Sequence, residues 1–293
     1  MKVEQYLLKI LETDLKEYDS YVVGEAILKY MLGKPIEEYE VITSAPLFSM
    51  PKGKKIGSKT MVYSSYPKPI LIHFMTSKEE YYKGCHFTYE TLLYHPHLGI
   101  VDPYHAVLDI QHQRLTSLKL PTHPMDVMRG IALKESIGFH FDEALENWIL
   151  THTFPKQIEN PKGFFSFFQR ILLSDFASLV LKQYSLFFET YFPISGQGLE
   201  IMKYTRSTFI LRFAGLLWDT PINEISDFFI QYKITACSLD EIELLLTYKD
   251  YNLTESNLKG FQKLIGKSAS SWFAVKRAEA LALGKIEAVS LLD

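Results

Sequence analysis

The stretch that decides the reading is VVGEAILKYMLGKPIEEYEVITSA, residues 22–45. An apolar run ends at Gly24, apolar spacing typical of a helix follows and stops at Leu32-Gly33 and Pro35, and a second β-rich run closes the segment. A strand, a glycine turn and a helix can bring backbone N–H groups to a phosphate at a helix N-terminus. The same layout also serves as a plain tight turn. Glu38 and Glu40 alternate at the entry to the second strand, so both point to one face. Two carboxylates on one face suit Mg²⁺, an oxygen-seeking cation. With Glu37 they also form a run of acids that suits a solvated edge.

Working outward, residues 3–18 carry Val3, Tyr6, Leu7, Ile10, Leu11 and Leu15 at helical spacing. The runs KTMVYSS (59–65) and PILIHFM (69–75) read as further strands. From Pro124 the periodicity becomes helical, with Asp142, Ser226 and Ser238 in cap positions ahead of apolar runs. The pattern predicts an α+β chain, a mixed α/β head followed by an all-α remainder. Hydrophobic content of 47% and charged content of 22% suit a globular protein. A net charge of −3 does not advertise a phosphate-backbone binder. Acids among the leucines of residues 1–18 are unlike a signal peptide, and no apolar run approaches the ~20 residues of a membrane span. Cys85 and Cys237 lie far apart in no metal-ligand spacing, which fits a reduced, cytoplasmic setting.

Other clusters have plain readings beside functional ones. His95, His97, His105 and His112 lack matched partners at zinc spacing, so a His-Pro turn is the stronger reading. Lys52, Lys54, Lys55 and Lys59 form a basic loop that suits either phosphate contact or a strand connection. No G-x-S-x-G elbow or P-loop is present. The aromatic pairs in FFSFFQ (164–169) and at 187–188 and 228–229 suit a core better than an interface.

Five blocks in order resemble the class II tRNA nucleotidyltransferases (CCA-adding enzymes) and bacterial poly(A) polymerases. That family has a strand, G-G-x-V-R-D-x-L-L-G and D-x-D-h-x-T-S-A, where h is apolar; here the text is GEAILKYMLG and EYEVITSA. It has R-R-D-F-T-I-N-A, then D-P-x-G-G-x-x-D-L; here, GCHFTYET and DPYHAVLDI. It has D-P-x-R-x-x-R-A-x-R-F and L-G-F; here, HPMDVMRGIALKESIGF. RILLSDFASLVLKQYSLFFETYFP and LRFAGLLWDTP resemble the later helices. The resemblance implies a nucleotidyltransferase-like head over 1–120, a helical neck over 121–195 and a helical body over 196–293.

The resemblance also implies Mg²⁺ and nucleoside triphosphates as cofactor and substrate, and tRNA or another RNA as partner. A protein partner stays open. The substitutions fall on the chemistry. The second Gly is Glu25, the triphosphate Arg is Leu28 and the following Asp is Lys29. D-x-D is Glu38-Tyr39-Glu40, a third carboxylate aligns near Leu71, and R-R-D is Gly84-Cys85-His86. The base-reading Arg positions are Asp126, Arg129 and Ala132. Gly24, Leu32-Gly33, Thr43, Phe87-Thr88, Asp102-Pro103, Asp109 and Gly138-Phe139 survive. The expected reading is a catalytically degenerate member that has kept its fold, with Gly24, Thr43 and Arg129 as vestiges of nucleotide binding. In the active alternative, Glu38 and Glu40 hold the metal; in a third reading the protein is an interaction scaffold.

Overall fold

A computed structural model describes residues 4–47, 53–232, 237–254 and 256–285. The chain divides into two compact units: Met1–Leu120 with Phe139–Leu145, and Pro121–Gly138 with Glu146–Asp293.

The first unit is built on a seven-stranded sheet. Its strands are β1 (Ser20–Val23), β2 (Tyr39–Thr43), β3 (Lys54–Lys55), β4 (Thr60–Tyr63), β5 (Ile70–Phe74), β6 (Leu93–His95) and β7 (Gly99–Val101), in the order β3-β4-β5-β2-β1-β6-β7. Neighbours are antiparallel except the central pair β2 and β5. β-Branched residues fill β1 and β2, where one side must pack. Helix α1 (Gln5–Lys9) continues as a π-helical turn over Ile10–Asp14. α2 (Glu25–Met31) follows β1, α3 (Lys78–Gly84) follows β5, and α4 (Ala106–Gln111) follows β7. A small parallel pair, β8 (Arg114–Leu115) and β9 (His140–Phe141), completes the unit and has too little sequence to announce itself.

The second unit is helical: α5 (Pro124–Ile137), α6 (Glu143–Thr151, which straddles the boundary), α7 (Pro161–Leu172), α8 (Ala177–Gln183), α9 (Ser185–Tyr191), α10 (Gly196–Lys203), α11 (Phe209–Leu216), α12 (Ile222–Gln231), α13 (Cys237–Thr247), α14 (Leu258–Ile265) and α15 (Ala269–Ala282). α5 starts on Pro124 and stops where Gly138 turns left-handed at φ 77°. The aromatic runs are core: Phe164, Phe168, Phe187, Phe188, Phe213 and Phe228 are buried, with Phe168 stacked on Phe192 at 3.6 Å between ring centroids.

One of the cap expectations differs. Asp142 caps as expected, its Oδ1 accepting from Leu145 N at 3.0 Å. Ser226 does not cap: α12 begins one turn earlier after Pro221, and the Ser226 hydroxyl donates back to Ile222 O at 3.2 Å. Pro221 pre-sets the first turn and moves the helix start ahead of the serine. The Ser238 and Cys237 side chains lie outside the described residues, as does Lys52. No helix among the described residues is long and apolar enough to cross a membrane.

Candidate functional site

The site predicted from residues 22–45 sits where β1, α2 and β2 meet. Gly24 takes φ 73° and ψ −145° ahead of α2, a conformation a side chain disfavours. The vacant Cβ position of Gly24 lies 3.4 Å from Glu40 Oε2, so the glycine turn and the strand carboxylate share one corner. Glu38 precedes β2 and is exposed, while Glu40 lies within it and is partly buried.

Strand register fixes what surrounds Glu40. Val23 of β1 and Leu71 of β5 are its cross-strand partners, so the three side chains share a face. Leu71 therefore stands beside Glu40, where the resemblance places a third carboxylate. His73, two residues further on β5, brings Nε2 to 3.9 Å from Glu40 Oε2 and Nδ1 to 3.2 Å from Thr60 Oγ1. Burial pushes the His73 imidazole below its ordinary pKa, so near neutral pH it gives Glu40 no countercharge.

The rest of this face is apolar. Val23, Ile42 and Leu93 form a buried cluster, and Tyr21, Met75, Tyr81, Tyr82 and Val101 pack against it. Tyr81 and Tyr82 come from α3, and the Tyr81 hydroxyl donates to Glu90 O at 2.9 Å. Among the described residues no group of three or more His, Cys, Asp or Glu is placed to share a metal ion. A two-ion centre needs several carboxylates bracketing both ions. Glu40, a leucine neighbour and a neutral imidazole do not fit one.

Two other substituted positions have new partners. Glu25, in place of the second Gly, has an ion-pair partner. Lys29, one turn along α2, brings Nζ to 3.0 Å from Glu25 Oε1 and 2.9 Å from Glu37 Oε2. Burial works against the Lys29 ammonium, but hydrogen bonds to Glu37 and Glu25 outweigh it and raise its pKa. Where the family text has Arg-Asp, this chain has Leu28, fully buried, and a lysine committed to two glutamates. In the R-R-D block, His86 N and Phe87 N donate to Glu90 Oε2 at 2.6 and 3.0 Å. That carboxylate closes its own loop.

Surviving positions serve the fold. The Thr43 hydroxyl bonds Ser20 Oγ at 2.8 Å and accepts from Ala45 N at 3.2 Å. Asp102 caps α4 by accepting from Ala106 N and Val107 N at 2.8 and 3.0 Å. Asp109 accepts from Thr88 Oγ1 at 2.8 Å and from Arg114 Nη2 at 2.7 Å. In the second unit, Arg129 on α5 pairs with Asp126 at 3.5 Å, so an acid that replaced one base-reading Arg position engages the remaining arginine.

The remaining clusters lie elsewhere in the first unit. His95 ends β6 and His97 lies in the β6–β7 turn, where His97 N donates to His95 Nδ1 at 3.2 Å. His105 precedes α4 and His112 follows it. Lys54 and Lys55 are exposed on β3, and Lys59 pairs with Glu80 at 2.9 Å. The Leu71 register and the α3 tyrosines carry no sequence motif; the Glu25–Lys29 spacing of four was legible.

No family model matches the chain. It is 21% identical over 164 residues to the CCA-adding enzyme of Staphylococcus saprophyticus, covering 46% of this chain and 41% of that enzyme. It is 23% identical over 180 residues to the CCA-adding enzyme of Streptococcus pyogenes, covering 51% and 44%. The chain thus spans less than half the length of either relative. In three dimensions it matches the Bacillus stearothermophilus CCA-adding enzyme in complex with CTP, with a TM-score of 0.75, 21% identity and coverage of 97% of this chain and 81% of that one. The likeness establishes the fold.

Proposed function

We propose that this chain is a divergent member of the tRNA nucleotidyltransferase family that has kept the family fold without nucleotidyl transfer and acts by holding RNA. The observation that carries the first half is the face around Glu40. Phosphoryl transfer is mostly positioning and charge stabilisation. Here Glu40 stands beside Leu71 on a face occupied by Val23, Ile42, Leu93 and the α3 tyrosines. The cation that would neutralise a triphosphate is replaced by the buried Leu28, and Lys29 is already paired.

RNA as the retained ligand rests on kinship. One solved relative is the Thermotoga maritima CCA-adding enzyme complexed with tRNA, matched at a TM-score of 0.66 and 14% identity. The net charge of −3 argues for a modest affinity carried by local basic groups.

Two titrations test the proposal. Mg²⁺ or Mn²⁺ with CTP or ATP leaves the melting temperature unchanged, because a ligand that does not bind the native state does not stabilise it. A shift of several degrees with either pair restores the active reading through Glu38 and Glu40. tRNA binds at low salt and is released as salt rises; no binding at low salt favours the interaction-scaffold reading.

A further inference from the structure

At the opposite end of β1 from Gly24, the first unit holds a cleft of about 220 Å³, bordered by the start of β1, the end of β2 and the start of α3. Tyr21, Ile42 and Met75 line it. Ile42 belongs to the buried cluster of this sheet face, and Tyr21 and Met75 pack against that cluster, so the three form an apolar floor. Ile42 lies two residues beyond Glu40 on β2, which sets the cleft roughly 7 Å further along the strand than that carboxylate.

Size limits the occupant. Pockets for drug-sized ligands hold ~300–1,000 Å³. This cleft is smaller, and suits one planar ring system rather than a whole nucleoside triphosphate. Half-buried Tyr21 offers it an aromatic ring and Met75 a thioether, two groups that pack well on rings. The row of rings continues across the sheet, with centroids 5.6 Å apart from Tyr21 to His95 and 5.5 Å from His95 to His97. Aromatic rows of this kind hold single strands, because every base has a π-face.

Charge selects the edge of the ring that enters. Asp19 and Glu79 stand against one cation, Lys78, in the lining. A net negative lining repels phosphate and attracts N–H donors. The Glu79 carboxylate is hydrogen-bonded back to Ser77. Among the described residues only the backbone of Asp19 is hydrogen-bonded, its N–H donating to Ser44 Oγ at 3.1 Å and its C=O accepting from Ser44 N at 3.0 Å, so its exposed carboxylate is left to accept. A carboxylate accepts from an exocyclic amino group such as cytosine N4, and has no proton to give the carbonyl that uracil carries there. We propose that this cleft takes one unpaired RNA base bearing an exocyclic amino group, cytosine or adenine, stacked on Tyr21 with that amino group on Asp19. The inference rests on the RNA-holding reading and adds where the strand is gripped and which bases it prefers.

Fluorescence anisotropy at low salt tests it, with tRNA and with labelled single strands of about seven nucleotides, all C, all A or all U. The wild type is expected to bind the C and A strands roughly tenfold tighter than the U strand. Asp19→Asn, at an exposed position, is expected to erase that preference, because an amide both accepts and donates. Tyr21→Leu is expected to weaken all three strands roughly tenfold, and Tyr21→Phe, which keeps the ring, to bind as the wild type does. Circular dichroism melts show whether each variant is folded, and Asp19→Asn decides alone if Tyr21→Leu is not. Equal affinity for the three strands, a preference that survives Asp19→Asn, or folded Tyr21→Leu protein that binds like the wild type overturns the proposal. Binding of tRNA without binding of any strand overturns it and leaves the RNA-holding reading standing; binding of neither overturns both.

Discussion

Asp109→Asn separates a scaffold role from a chemical one. Asp109 is 6% exposed and its carboxylate receives the Thr88 hydroxyl at 2.8 Å, Arg114 Nη2 at 2.7 Å and Arg114 Nε at 3.1 Å. A hydrogen bond from a buried hydroxyl to a charged acceptor is worth about 1.5–3 kcal/mol. The Arg114 pair adds less than about 1 kcal/mol, because the Arg114 side chain is 45% exposed and water screens it. The amide keeps one acceptor but turns N–H groups toward donors, so the variant should lose about 2–4 kcal/mol in urea unfolding followed by circular dichroism.

The loss should depend on pH. Burial raises the Asp109 pKa, but hydrogen bonds from Arg114 and Thr88 outweigh it and hold the folded value below the ordinary 3.8. A carboxylate with a depressed folded pKa contributes stability above its unfolded pKa and loses it as pH falls through the folded value. The gap between wild type and variant should therefore be full at pH 7 and narrow below about pH 4. A loss under about 0.5 kcal/mol at pH 7, or a gap unchanged on acidification, would refute the view that Asp109 survives for the fold.

Other perturbations have defined outcomes. Arg212, 8% exposed, donates to Leu172 O at 2.6 Å, to Ser207 Oγ at 2.7 Å and to Ser174 O, closing the end of α7; Arg212→Met should cost about 2–4 kcal/mol by tryptophan fluorescence in urea, and Arg212→Lys should not rescue it, since one ammonium cannot reproduce the fork. Tyr184→Phe removes a hydroxyl that accepts from Lys134 Nζ at 2.7 Å and donates to Glu146 Oε1 at 2.9 Å, and should cost about 1–3 kcal/mol in the same assay. Glu25→Gly rebuilds the glycine pair but should leave Mg·ATP heats at baseline in calorimetry, because Leu28 stays buried and no cation is returned to the turn.

Much of the fold was legible because its signals are local. Val22-Val23-Gly24 ahead of helical spacing gave β1, the turn and α2, and Pro124 with Gly138 marked both ends of α5. The site was legible only as a set of substitutions. That Leu71 faces Glu40 depends on the parallel pairing of β2 with β5, a contact between strands with β3 and β4 between them in the chain. That Tyr81 and Tyr82 pack on this face depends on where α3 lands, which no short-range pattern encodes. The misread Ser226 cap shows the limit at short range as well, where a proline one turn upstream outweighed a good capping residue.

The most direct test of the central claim incubates the protein with Mg²⁺, labelled CTP or ATP, and tRNA lacking its 3′ terminal nucleotides, and follows label into RNA. No incorporation above the no-protein control is expected, with Glu38→Gln/Glu40→Gln protein giving the same baseline. Robust incorporation that the double variant abolishes would contradict the claim and return Glu38 and Glu40 to catalysis.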